Sequence, residues 1–150
     1  MRAVVQRVLR ASVTLKGHVA GSIDGGLLVL VGVAGDDRDE DIAWLAGKIV
    51  RQKLFADESG RMNSSVMESG AGVLVVSQFT LLASTRKGTK PSWHCAAGPE
   101  VAVPLYGRFL AAVEEALGRP VATGQFGAMM EVALVNDGPV TLVLDSRLRE

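Results

Sequence analysis

A single cysteine, Cys95, in 150 residues rules out an internal disulfide and any multi-thiolate metal site within one chain. Histidine is almost as scarce. His18 falls in a predicted hairpin and His94 in a loop, and neither has an orienting partner beside it in sequence, so the usual general base is lacking. Cys95 next to His94 does not make up for this, because catalytic pairs are neighbours in space rather than in sequence. Charge of one sign is also missing. Sixteen Lys and Arg balance 16 Asp and Glu, which does not indicate a large nonspecific nucleic-acid footprint. No apolar run approaches the roughly 18 to 20 residues of a membrane-spanning helix; the longest, Leu27 to Ala34, is short. Arg2, Arg7 and Arg10 are embedded in an alternating apolar pattern rather than placed ahead of a hydrophobic stretch, so no signal peptide is expected and the expected location is the cytoplasm. A Gly-x-Ser-x-Gly elbow, a Walker loop, a His-Glu-x-x-His helix and a Gly-x-Gly-x-x-Gly fingerprint are all absent.

What is present is a core-forming chain, 48% hydrophobic, read as one domain over residues 1–150. Val4 to Val8, Ser12 to Leu15, His18 to Ile23 and Leu27 to Val33 read as four strands. Asp36 to Asp41 then load acids onto the start of a helix, which suits its dipole. Ile42, Leu45, Ile49 and Val50 supply its apolar stripe, and it ends at about Arg51 or Leu54. Asp57 to Gly60 reads as a turn, Asn63-Ser64-Ser65 as a loop, and Gly72 to Phe79 as a buried strand. Thr85 to Ala97 is loop-like and carries Arg86, Lys87 and Lys90. Pro99 opens a second helix whose expected buried face is Val103, Tyr106, Leu110, Val113 and Leu117. Val132 to Val135 and Val140 to Leu144 read as short strands joined by a hairpin-like turn. The β-β-β-β-α order argues against a doubly wound sheet. The expected fold is α/β: a curved, mostly antiparallel or mixed, barrel-like β-sheet with two packed helices.

Two short strings carry chemistry. Asn136-Asp137-Gly138-Pro139-Val140-Thr141 is turn chemistry between apolar runs, since Gly permits positive φ and Pro fixes its own. Ser77-Gln78-Phe79-Thr80-Leu81 stands at the end of the apolar run Gly72 to Val76. On residue type alone, Ser77 and Thr80 are hydroxyls that close a strand by bonding nearby backbone, and neither has an activating base near it in sequence. Together the strings resemble the signature of the D-aminoacyl-tRNA deacylases, the D-tyrosyl-tRNA(Tyr) deacylase family. Further matches run in order along the chain: Met1 to Val8, Gly25 to Val33, Gly60 to Ser65, Lys87 to Trp93 and Thr123 to Ala128. Lys90 and Trp93 depart from the Arg and Phe more usual there, and His94-Cys95 replaces smaller or hydroxylated residues.

The resemblance implies a homodimeric hydrolase for translation proofreading, with no cofactor and no metal, acting at the 3′ end of aminoacyl-tRNA. It would release a D-amino acid from the ester, and glycine mischarged on tRNA-Ala as well. Ser77, Gln78, Phe79 and Thr80 would form one wall of the pocket. Gly138 and Pro139, joined by a cis bond and supplied by the partner subunit, would form the other and reject L-aminoacyl groups. Arg7 would buttress that Gly-Pro loop, and Ala102, Phe126 and Met130 would line a pocket for the terminal adenosine. Without the resemblance, Arg7 reads as a surface charge on an edge strand and Phe126 as core packing. Three alternatives remain at this point. One is a related deacylase for mischarged L-amino acids, which would lack Phe79 and hold the Gly-Pro bond trans. Another is a noncatalytic nucleic-acid-binding module built on Arg86, Lys87, Lys90 and Trp93. The third is a Ser/Thr or Cys hydrolase of unrelated substrate.

Overall fold

Strand β1 (Arg2–Leu15) organises the computed structural model, which describes residues 1–149. Its first half pairs antiparallel with β3 (Gly26–Gly32), and its second half with β2 (His18–Ile23). Along its other side runs β8 (Glu131–Asp145), antiparallel from Arg2↔Asp145 to Thr14↔Glu131. Beyond β3 the sheet continues with parallel β6 (Gly72–Ser77) and β7 (Ala122–Thr123). The sheet curls until β2 and β7 meet: a Cβ on Gly21 would lie 2.4 Å from the Thr123 carbonyl oxygen. The result is a mixed, nearly closed, barrel-like sheet.

Period-two alternation divides β3 and β6 between two cores. Leu27, Val29, Val31, Val73 and Val75 face one, whereas Leu28, Leu74 and Val76 face the other, inside the curl. Burial on both faces is why these strands read as unbroken apolar runs. The outer core is closed by α1 (Asp39–Arg51) and α3 (Pro99–Leu117), which contribute Leu45, Ile49, Leu105, Phe109 and Val113. Helix α1 carries Asp39, Glu40 and Asp41 in its first turn and Lys48 and Arg51 in its last, matching its dipole at both ends. Gly118 ends α3 in the left-handed conformation (φ 75°).

Several expectations need correction. Val4 to Val8 and Ser12 to Leu15 belong to one 14-residue strand. No turn former separates them, and β8 gives the whole length a partner. The Asn136 to Pro139 segment is not a hairpin: both flanking runs belong to β8 and pair with β1. Asn63, Ser64 and Ser65 lie in β5 (Met62–Ser65), paired with β4 (Lys53–Ala56) around the Asp57–Gly60 turn, and not in a loop. Leu54 is in β4, so α1 stops at Arg51. The four-residue helix α2 (Val66–Ser69) follows, and the Gly72 strand ends at Ser77 rather than Phe79. On α3 the buried face is set by Ala102, Leu105, Tyr106 and Phe109, which leaves Val103 47% exposed.

Candidate active site

Strand β6 delivers the Ser77–Thr80 segment to the rim of the sheet. The Gln78 N–H donates to the Val31 carbonyl (2.7 Å), extending the β3 pairing by one step. The chain then tightens into one turn of 3-10 helix, Phe79–Leu82, closed by Leu81 N–H to Gln78 (3.2 Å) and Ala83 N–H to Thr80 (3.1 Å). Gly32 lets this turn sit against β3, since a Cβ there would lie 2.3 Å from Leu82 Cδ2 and 3.0 Å from the Gln78 carbonyl oxygen. Arg2 ties the turn to the start of β1, donating to the Leu81 carbonyl (2.8 Å) while pairing with Asp145 (2.9 Å).

The backbone N–H groups of Phe79 and Thr80 lead this turn, where a helical turn leaves its first donors free. Among the described residues neither bonds a backbone acceptor. The Gln78 amide donates to Thr80 Oγ1. No carboxylate or imidazole hydrogen-bonds the Ser77 or Thr80 hydroxyl among the described residues, so neither has the base that a nucleophile requires. His94 is engaged elsewhere, its Nδ1 2.5 Å from Ser92 Oγ, and Cys95 is exposed. The Phe79 ring is 54% exposed and meets Trp93 edge to face, with centroids 5.4 Å apart.

The second string forms a wide bulge in β8. Between the pairs Gln6↔Thr141 and Val8↔Asn136, Arg7 alone faces the four residues Asp137 to Val140. The Gly138–Pro139 bond is cis. Asn136 spans the bulge, its side-chain amide donating to the Arg7 carbonyl (2.8 Å) and the Val140 carbonyl (3.2 Å). Arg7 donates to the Leu54 carbonyl (2.5 Å) and forms an ion pair with Asp137, Nε to Oδ2 2.9 Å. The Nε–Oδ2 angle is too poor for a hydrogen bond, which leaves the buried Arg7 Nε held by charge alone.

The two strings do not meet within one chain. The turn is tied to the Arg2 side chain, whereas the bulge faces Gln6 to Val8, four to six residues (about 13–20 Å of strand rise) further along β1. Ala102 and Phe126 do share surroundings. Phe126 packs on Tyr106 (centroids 5.5 Å), one helical turn beyond Ala102 in the outer core. Met130 lies apart from them, against Gly124 and the inner core. Sequence reasoning put Tyr106 on the buried face of α3 but missed that its hydroxyl donates to the Val75 carbonyl (3.2 Å), and it missed Asn136 as a brace. Burial pushes that phenol up to about 12. Asn beside Asp-Gly-Pro was a usable signal for the brace, because Asn side chains commonly bond backbone nearby. Among the described residues, no group of three or more His, Cys, Asp or Glu is placed to hold a metal ion.

A barrel-like mixed sheet that ends one strand in backbone donors without backbone acceptors, and without a base on the adjoining hydroxyls, defines a small α/β protein whose candidate site presents its main chain. The family model for D-Tyr-tRNA(Tyr) deacylase matches residues 4–145, and the chain belongs to that family. It is 64% identical to a D-aminoacyl-tRNA deacylase of Opitutus terrae and 55% identical to one of Dechloromonas aromatica, over all 150 residues and the full length of each relative. A solved structure described as c-Myc DNA Unwinding Element Binding Protein superposes with a TM-score of 0.90 at 40% identity, covering 97% of this chain and 98% of that one. A probable eukaryotic D-amino acid tRNA deacylase gives a TM-score of 0.81 at 20% identity, covering 95% and 97%, a likeness of fold alone.

Proposed function

We propose that this chain, acting as a single domain in a homodimer, hydrolyses the ester between a D-aminoacyl group and the 3′-terminal ribose of tRNA. The observation that carries the reading is the turn at Phe79 and Thr80, whose two adjacent N–H donors meet no backbone acceptor among the described residues. Water attacks the ester carbonyl, and these donors stabilise the oxyanion that forms. The carbon–oxygen bond to the ribose then breaks, and the proton released by the attacking water passes through the neighbouring 2′-hydroxyl to the leaving ribose oxygen. The neighbouring 2′-hydroxyl assists, so a protein base is not needed. Ala102 and Phe126, which share the outer core beside Tyr106, are assigned to the adenosine end of the pocket; Met130, apart from them against Gly124, is not.

The Gly138–Pro139 bulge of a second copy supplies the opposite wall. Two features support a second copy: the strings face stretches of β1 about 13–20 Å apart by strand rise, and among the described residues β8 pairs only with β1, with Val143 68% exposed. The bulge carbonyls stand beside the substrate α-carbon. An L-side chain collides with them, whereas a D-side chain points away. Glycine, with nothing to collide, is accepted, including glycine on tRNA-Ala. Each factor of ten in selectivity requires about 1.4 kcal/mol, so modest steric strain suffices.

The test is amino-acid release from matched D-tyrosyl- and L-tyrosyl-tRNA by wild type and Thr80→Ala. Rapid loss of the D-ester alone, retained by Thr80→Ala, is the expected outcome. A drop of about 10²-fold or more in folded Thr80→Ala would return the hydroxyl to the chemistry. A second reading, nucleic-acid binding without turnover, draws on the DNA-binding description of the 40%-identical structure and on the exposed Arg86, Lys87 and Lys90. It predicts salt-sensitive binding and no release of either amino acid.

A further inference from the structure

The proposed reaction uses the Phe79 turn but leaves the loop beside it unexplained. In the single chain Trp93 is 43% exposed and Phe79 54%, and the two rings meet edge to face. The position of Trp93 is fixed. Ser84 and Ser92 exchange backbone hydrogen bonds (2.8 and 2.9 Å), the Ala96 N–H donates to the Trp93 carbonyl (2.9 Å), and Ser92 Oγ contacts His94 Nδ1. The span closed by the Ser84–Ser92 pair carries Arg86, Lys87 and Lys90, all exposed and none in an ion pair among the described residues. Outward from the Phe79 turn, the surface therefore runs to Trp93, and the loop that the Ser84–Ser92 pair closes presents three cations without an ion-pair partner among the described residues.

Resting on the hydrolase reading above, we propose that Trp93 and the Arg86–Lys90 loop form a subsite for the unpaired nucleotides that precede the aminoacylated one. Single-stranded RNA is recognised by bases stacked on aromatic rings and phosphates held by cations, and both parts are present here side by side. Trp93 positions the strand and takes no part in bond breaking.

The experiment measures kcat and KM on D-tyrosyl-tRNA and on 3′-O-D-tyrosyl-adenosine, which lacks the preceding nucleotides. It compares wild type, Trp93→Ala, Trp93→Phe and the double variant Lys87→Ala/Lys90→Ala. Trp93→Ala is expected to raise KM on the tRNA ester on the order of tenfold, with the adenosine ester unaffected and Trp93→Phe restoring most of the loss. The double lysine variant is expected to flatten the slope of log(kcat/KM) against log salt by about 1.4, at roughly 0.7 per lost single-strand phosphate contact. Equal losses on both esters would overturn the subsite and make Trp93 a support for Phe79. Loss that tracks subunit dissociation in sedimentation would overturn it in favour of a second copy covering the aromatic pair. A wild-type protein inert on both esters would remove the hydrolase reading, and this subsite with it.

Discussion

Asn136→Ala is the sharpest probe of the bulge. One side-chain amide crosses from the Arg7 carbonyl at 2.8 Å to the Val140 carbonyl at 3.2 Å, joining both ends of the Asp137–Pro139 arch. Each neutral hydrogen bond contributes about 0.5–1.5 kcal/mol net, and Asn136 is exposed, so the pair together stabilises the arch by about 1–2 kcal/mol. If the arch excludes L-aminoacyl groups, that energy is the stiffness available to resist an intruding side chain. Its loss should lower the D-to-L preference by about 5- to 30-fold. The change should come from a faster L-rate, because the donors at Phe79 and Thr80 belong to a different element. Asn136→Asp keeps the size but sets carboxylate oxygens against two carbonyl acceptors, so it should do at least as much harm. The assay is the initial rate of amino-acid release from D- and L-tyrosyl-tRNA, with urea unfolding to establish that the variant is folded. An unchanged D-to-L ratio in a folded Asn136→Ala protein would refute the claim that this brace stiffens the filter.

Two further predictions concern the fold. The Glu68 carboxyl is drawn from 4.5 to about 2, first by the Lys53 ammonium at 2.6 Å and then by the Ser65 backbone N–H and hydroxyl. A depressed folded-state value means that the stabilisation is present above pH 4.5 and is lost as pH falls toward about 2. Glu68→Gln should therefore flatten the acid limb of stability in that window, read as urea midpoints against pH; an unaltered acid limb would show that this exposed contact contributes nothing. Phe109→Ala, which empties the centre of the outer core between α3 and the sheet, should cost about 3–5 kcal/mol in denaturant unfolding. A loss below about 1 kcal/mol would mean that the core collapses into the space.

Periodicity made much of the fold legible. The acids of α1, the stripe from Ile42 to Val50 and Pro99 at the start of α3 are local signals, and local signals carried those helices. The errors fall where distant residues decide. Nothing near Leu9 or Asn136 says that β1 and β8 run alongside each other for their whole lengths. Ser64 and Ser65 read as loop because their strand exists through pairing with β4. Val103 is exposed because α3 turns a neighbouring stripe, centred on Leu105 and Phe109, toward the sheet. At the candidate site the two strings stood out by residue type and resemblance, but Asn136 and Tyr106 act through carbonyls far away or across a turn, and side-chain patterns do not reveal backbone acceptors.

The misread hairpin bears on the mechanism. At a hairpin tip, Gly138 and Pro139 would hang from two strand ends and could swing when a side chain pressed on them. Here the strand continues on both sides, and the arch is held by Gln6↔Thr141 at one foot and Val8↔Asn136 at the other. Arg7, the one residue beneath it, is anchored to the Leu54 carbonyl outside the bulge and pairs with Asp137 within it. A filter that rejects by collision is only as selective as it is stiff, since any give lets the wrong enantiomer in at the cost of bending the wall. Placing turn chemistry in mid-strand therefore serves the proposed filter. Glycine and proline shape the arch, and paired strand on both sides denies it the freedom that the same residues would have at a tip.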